Sequence, residues 1–158
     1  RSCNFSWSFN AKNMKIAIAS DHAGFDLKEH LKIFLTTHGH EVFDFGAHVR
    51  DFSDDYPDFV SKVASAVSSD PKDTIGIIIG GSGQGEAMVA NRTSNVRAAV
   101  FYHFNDKIVR LSREHNDANV ISLGARFLSD EEAEAIIRIF LETPFSNDER
   151  HIRRLKKF

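Results

Sequence analysis

The chain has 158 residues, 42% of them hydrophobic, which is enough for one domain with one sizeable core and not for two. Its formal net charge of −2 supplies no general field for nucleic acid or an anionic membrane, so any anion site is local. Cys3 is the only cysteine, which excludes an intramolecular disulfide and a cysteine-based metal cluster and suits a reducing cytoplasm.

Residues 1–13 lack the apolar core and cleavage site of a secretory signal. Met14 stands directly before the first strand-like run, so 1–13 read as an N-terminal extension or expression remnant and 14–158 as a single domain. Lys15–Ser20 is the first β-branched run, and Asp21-His22-Ala23-Gly24 ends it. Asp21 and His22 there are either a helix-capping pair or ligand contacts. Phe25–Thr37 gathers Phe25, Leu27, Leu31, Phe34 and Leu35 on one helical face, and Gly39 stops it. Glu41–Phe45 is the second strand. Pro57–Ser68 starts with proline where a helix tolerates it and repeats Val60, Val63, Ala64 and Val67 at helical spacing.

Thr74–Gly80 is an apolar strand that runs into Gly80-Gly81-Ser82-Gly83-Gln84-Gly85-Glu86, followed by a helix at Gly85–Asn91. Strand Arg97–Tyr102, helix Asn105–Glu114 and strand Asn119–Leu123 come next. Helix Asp130–Glu142 and a short basic helix near Asp148–Lys157 close the chain. Strands alternating with crossover-length helices predict an α/β fold: a doubly wound, five-stranded parallel sheet, Rossmann- or flavodoxin-like, in the order 2-1-3-4-5 with helices on both faces. Ligands of such folds bind beyond the carboxyl ends of the strands, where the glycine-rich turn falls.

Glycines at 80, 81, 83 and 85 let the backbone approach a ligand and aim several N–H groups at one oxyanion. The segment lacks the dinucleotide fingerprint, because the G-x-G-x-x-G register from Gly81 ends on Glu86, and no Gly-Lys-Ser/Thr follows to make a P-loop. Glu86 in the first helical turn is either a carboxylate favoured by the helix dipole or a base placed to remove a proton beside a carbonyl. Burial raises the pKa of such a base and N–H donors lower it; the expectation is a raised value. His115 is either a helix-terminal histidine or a catalytic one, and Arg126 either a solvated loop residue or a ligand contact. Arg150 and Arg154, four apart, are either a solvated basic helix end or a monophosphate grip. His30, His38, His40, His48 and His103 show no metal-ligand pattern.

Taken in order, Asp21-His-Ala-Gly, Asp55-Tyr-Pro, Gly80-Gly-Ser-Gly-Gln-Gly-Glu, Ala90-Asn-Arg, Arg113-Glu-His-Asn and Arg150-His-Ile-Arg-Arg resemble the ribose-5-phosphate isomerase B family of sugar-phosphate isomerases. The resemblance implies cytoplasmic interconversion of ribose 5-phosphate and ribulose 5-phosphate, in the pentose phosphate pathway, through a cis-enediolate and with neither metal nor organic cofactor. It implies Glu86 as the proton-transferring base, and His115 with Asp21 as the pair that opens the furanose ring. Gly81, Ser82, Gly83, Gln84 and Gly85 correspond to the enediolate loop, Asn116 and Arg126 to sugar-binding residues, and His22, Arg150 and Arg154 to phosphate-binding residues. In this family the tail arginines reach the neighbouring subunit's site, which implies a homodimer, or a tetramer built from it. One branch of the family uses a cysteine at the start of the glycine loop as base; that position is Gly80 here. Competing readings are an allose or galactose 6-phosphate isomerase of the same family, a non-catalytic phosphosugar-binding module and a flavodoxin-like mononucleotide carrier.

Overall fold

The computed structural model describes residues 12–158, so Cys3 and most of the expected extension lie outside the described residues. Five strands, β1 (Lys15–Ser20), β2 (Glu41–Asp44), β3 (Thr74–Gly80), β4 (Ala98–Phe101) and β5 (Val120–Gly124), form one sheet in which every pairing is parallel. Six helices connect and cover them: α1 (Phe25–Thr37), α2 (Tyr56–Ser69), α3 (Gln84–Ala90), α4 (Asp106–Glu114), α5 (Asp130–Glu142) and α6 (Glu149–Leu155). The expected boundaries differ from these by one or two residues, mostly where a capping residue such as Asn105 stands just outside its helix.

The strand order corrects the expectation. It is β2-β1-β3-β5-β4, with the fifth strand inserted beside β3 and the fourth at the edge. Burial explains the exchange: all of β5 is buried, whereas Ala98, Ala99 and Val100 of β4 are only partly covered. A strand apolar on both faces belongs in the middle of a sheet with two helical layers, and a half-covered one belongs at its edge.

Alternate residues of the central strands feed two cores. Ile16, Ile18, Ile77, Ile79, Ile121 and Leu123 pack with Leu31 and Leu35 of α1, Val109 of α4 and Ile136 and Phe140 of α5. On the other face Ala17, Ala19, Ile78 and Val120 meet Val60, Val63, Ala64 and Val67 of α2 and Ala90 of α3. Burying each such Val, Ile or Leu side chain stabilises the fold by about 1.5–3 kcal/mol.

The register brings Ser20 opposite Ile79 and Gly80 opposite Gly124, so three central strands end at one edge. The loop between β2 and α2 is fastened to that edge: Ser20 donates its amide to Gly46 O at 2.8 Å, and Ala47 donates to Ser20 O at 2.6 Å. Beneath the loop, fully buried Lys28 donates to both Asp44 carboxylate oxygens at 2.9 Å and to Ala47 O at 2.7 Å. Burial pushes the Asp44 carboxyl up, but the Lys28 and Lys32 ammoniums and the Gly46 N–H outweigh it and hold the group below its ordinary value.

Candidate functional site

The aligned strand ends open onto a cavity of about 500 Å³ lined by Asp21, His22, Ala23, Tyr56, Gly81, Ser82, Gly85, Glu86, Arg126 and Phe127. This is the size range of small-molecule sites, roughly 300–1,000 Å³. Three loops converge there because two are stitched together: Ala125 and Arg126 donate their amides to Gly80 O and Gly81 O at 2.8 and 3.1 Å. The Ser122 hydroxyl donates to Gly83 O from below.

Two glycines decide the shape. Gly83 has φ +77°, a left-handed conformation that turns the chain from β3 into α3. At Gly80 a Cβ would fall 1.6 Å from Glu86 Oε1. The space a side chain at position 80 would fill therefore holds the Glu86 carboxyl. Glu86 is 4% exposed, and burial above all, helped by the charge of Asp21, raises its pKa above the ordinary carboxyl value against the pull of its own backbone N–H. A carboxylate of raised basicity beside a turn of backbone N–H groups can take a proton from a carbon next to a carbonyl and leave the oxyanion held.

Asp21 caps the short 3-10 turn at His22–Gly24, its Oδ1 accepting from Ala23 N at 3.0 Å and Gly24 N at 3.3 Å. His22 sets its Nδ1 2.6 Å from Asp54 Oδ1. Asp21 therefore caps a turn, as one reading of the Asp-His pair expects, and both residues line the cavity. The cavity also holds Tyr56 and Phe127, which the sequence reading did not single out as site residues. Tyr56 had a signal in Asp55-Tyr56-Pro57, where the proline opens α2 and so puts the tyrosine at its first turn. A Cβ on Gly85 would come within 2.5 Å of the Tyr56 hydroxyl, so this glycine admits the ring. Gln84 is exposed and its backbone N–H lies 3.4 Å from Ser82 Oγ.

The remaining candidates lie elsewhere. His115, Asn116, Arg150 and Arg154 are not among the residues lining this cavity, and the expected pairing of His115 with Asp21 is not formed within one chain. His115 follows α4, and its ring stacks on that of His151 with centroids 4.1 Å apart. His151 is 3% exposed, and burial first, then the neighbouring His115 and Arg150, hold its imidazole below the ordinary value. Asn116 lines a separate cavity of about 370 Å³ with Arg97, Ser112 and Phe158. Arg150 and Arg154 stand exposed on α6.

Residues 16–158 match the model of a family described as Ribose/Galactose Isomerase. Ribose-5-phosphate isomerase B of Mycolicibacterium paratuberculosis is 41% identical over 142 residues, 90% of this chain and 87% of that protein. The crystal structure of ribose-5-phosphate isomerase B from Mycoplasma genitalium with bound ribulose-5-phosphate superposes with a TM-score of 0.86 at 40% identity, covering 90% of this chain and 92% of that one. The Clostridium thermocellum ribose-5-phosphate isomerase B structure gives 0.84 at 45% identity, over 91% and 94% of the two chains. Among the described residues no helix is long and apolar enough to cross a membrane.

Proposed function

The chain belongs to the Ribose/Galactose Isomerase family, and from that premise we propose that it is a cytoplasmic ribose-5-phosphate isomerase whose single domain spans residues 14–158. The observation that carries this reading is Glu86, buried with its carboxyl over Gly80 at the start of α3. Glu86 removes the C2 proton of the open-chain aldose and returns it to C1, while the O2 proton passes to O1. The N–H groups of Gly81–Gly85 hold the enediolate oxygens between the two transfers. Arg126, beside Gly81, binds the sugar, and His22 and the tail arginines bind the phosphate.

Ring opening requires His115 to meet Asp21, and of the two only Asp21 lines the cavity within one chain. A second copy supplies His115, Asn116, Arg150 and Arg154, making a homodimer, or a tetramer of such dimers, with shared sites. Exposed Phe127, which lines the cavity, and exposed Tyr102, whose ring centroid lies 6.4 Å from that of Phe127, support a covered face there.

The test is ketose formation from ribose 5-phosphate and, separately, from allose 6-phosphate, without added metal. Faster pentose turnover that falls about 10²–10⁴-fold in Glu86→Gln with ligand binding retained supports the proposal. Hexose preference would change the substrate, and no turnover of either would make the protein a phosphosugar-binding module.

A further inference from the structure

His22 reaches the cavity from a turn of only three residues, too short to fix an imidazole by itself. The ring is held instead from 32 residues away. One oxygen of Asp54, Oδ1, lies 3.1 Å from the His22 backbone N–H, which donates to it, and 2.6 Å from His22 Nδ1. With Nδ1 engaged by a carboxylate it carries a proton and donates to Asp54, and Nε2 is left to face a ligand.

Asp54 has its own supports. Its amide donates to Asp51 O at 3.1 Å, and Asp51 Oδ1 accepts from the Ser53 amide at 2.9 Å and the Ser53 hydroxyl at 2.6 Å. The start of the same loop is tied to Ser20 and to buried Lys28. The Asp54 side chain is 8% exposed, and its second oxygen, Oδ2, is buried with no hydrogen-bond partner. A carboxylate retained solely to brace a loop would be expected to satisfy both oxygens; orphaned buried acceptors are few in native folds.

We propose that Asp54 is a positioning residue of the site: it fixes the ring of His22 so that, with both ring nitrogens protonated, Nδ1–H donates to Asp54 and Nε2–H donates to the phosphate group of the sugar. The inference rests on the isomerase reading for the phosphate at His22, and on geometry for the link between His22 and Asp54. Asp21, His22 and Asp54 also place one donor atom each within 4.8 Å of the others, as a metal group does. The 2.6 Å between Nδ1 and Oδ1 is a hydrogen bond, whereas two ligands each about 2.1 Å from a tetrahedral ion sit roughly 3.4 Å apart. Asp21 Oδ1, moreover, is already taken by two backbone N–H groups.

Asp54→Asn is expected to raise KM for ribose 5-phosphate about tenfold, with kcat held within about threefold, and to weaken competitive inhibition by inorganic phosphate in parallel. His22→Gln should give the same rise, and the double variant no more than either single one. In the unaltered protein, the Nδ1 proton of His22 should give a far-downfield proton resonance that shifts on addition of inorganic phosphate, a readout that needs no variant to fold. Unchanged KM and phosphate inhibition in a folded Asp54→Asn protein, additive single variants, or a His22 signal blind to phosphate would each overturn the proposal. If the unaltered enzyme turns over no sugar phosphate yet Asp54→Asn weakens phosphate binding, the positioning role stands and the isomerase reading falls.

Discussion

Two regions of the molecule carry the residues expected to act together, and they are built differently. At the strand ends Asp21, His22 and Glu86 are drawn inward: two are buried, the third is held by Asp54, and all line one cavity. At the far end of α4 and on α6, His115 is half-buried against His151, and Asn116, Arg150 and Arg154 face solvent. The first region spends backbone geometry and burial on tuning a base. The second presents its donors to solvent, Arg150 having Asp148 beside it at 3.9 Å; a surface completed by another copy has this form. On the proposed dimer, burial and exposure divide the site into a half that is finished by folding and a half that waits for assembly.

The sharpest way to break this contrast is to mix two dead proteins. Glu86→Gln and His115→Asn should each lose about 10²–10⁴-fold in kcat. Unfolded together in equal amounts and refolded, they should regain about a quarter of native activity, since about half of the dimers are mixed and each has one of its two sites intact. Separately refolded and then mixed without exchange, they should stay inactive. A co-refolded mixture that stays inactive would show that each chain completes its own site.

The next largest effect probes the inward half alone. Gly80→Ala puts a methyl group where the Glu86 carboxyl lies, 1.6 Å from Oε1, so the carboxyl must leave its place. We expect kcat to fall about 10²-fold with substrate affinity little changed, since no phosphate donor moves. The cysteine of the family's other branch, standing at this position, would occupy the same volume, so the two bases exclude one another. Full activity in Gly80→Ala would mean that Glu86 acts from some other position.

Much of this was legible in the sequence because it depends on local pattern. The parallel α/β class followed from alternating apolar runs and helical periods, and Glu86 stood out because four glycines and a helix start are a contiguous signal. The positions of β4 and β5 were not legible. Both read as short apolar runs, and what separates them is coverage on two faces against one, a property of the packed sheet rather than of either segment. Asp54 was hidden for a related reason: it sits in the run Asp51–Asp55 among other acids and gains meaning only when the loop closes onto His22. The outward half of the site carried good motifs, but a motif does not say whose cavity it faces.

The smallest predicted effect tests the cost of the inward half. Burial first, and Asp21 second, raise Glu86 above the ordinary carboxyl value of 4.5. The folded protein therefore binds this proton more tightly than the unfolded chain does. Glu86 contributes stability that is fully present below pH 4.5 and is lost as pH rises through the folded-state value. At pH 7 the ionised carboxylate is a net burden, so Glu86→Gln should melt higher than the native protein there, and the difference should fade as the pH falls toward 4. The same ionisation should set the acid limb of kcat/KM above pH 4.5, and the residual activity of Glu86→Gln should lack it. A melting difference that persists unchanged to pH 4 would assign the gain to packing rather than to charge. Equal melting at pH 7 would remove the strained base from the comparison altogether, leaving two halves that differ in position and not in stored cost.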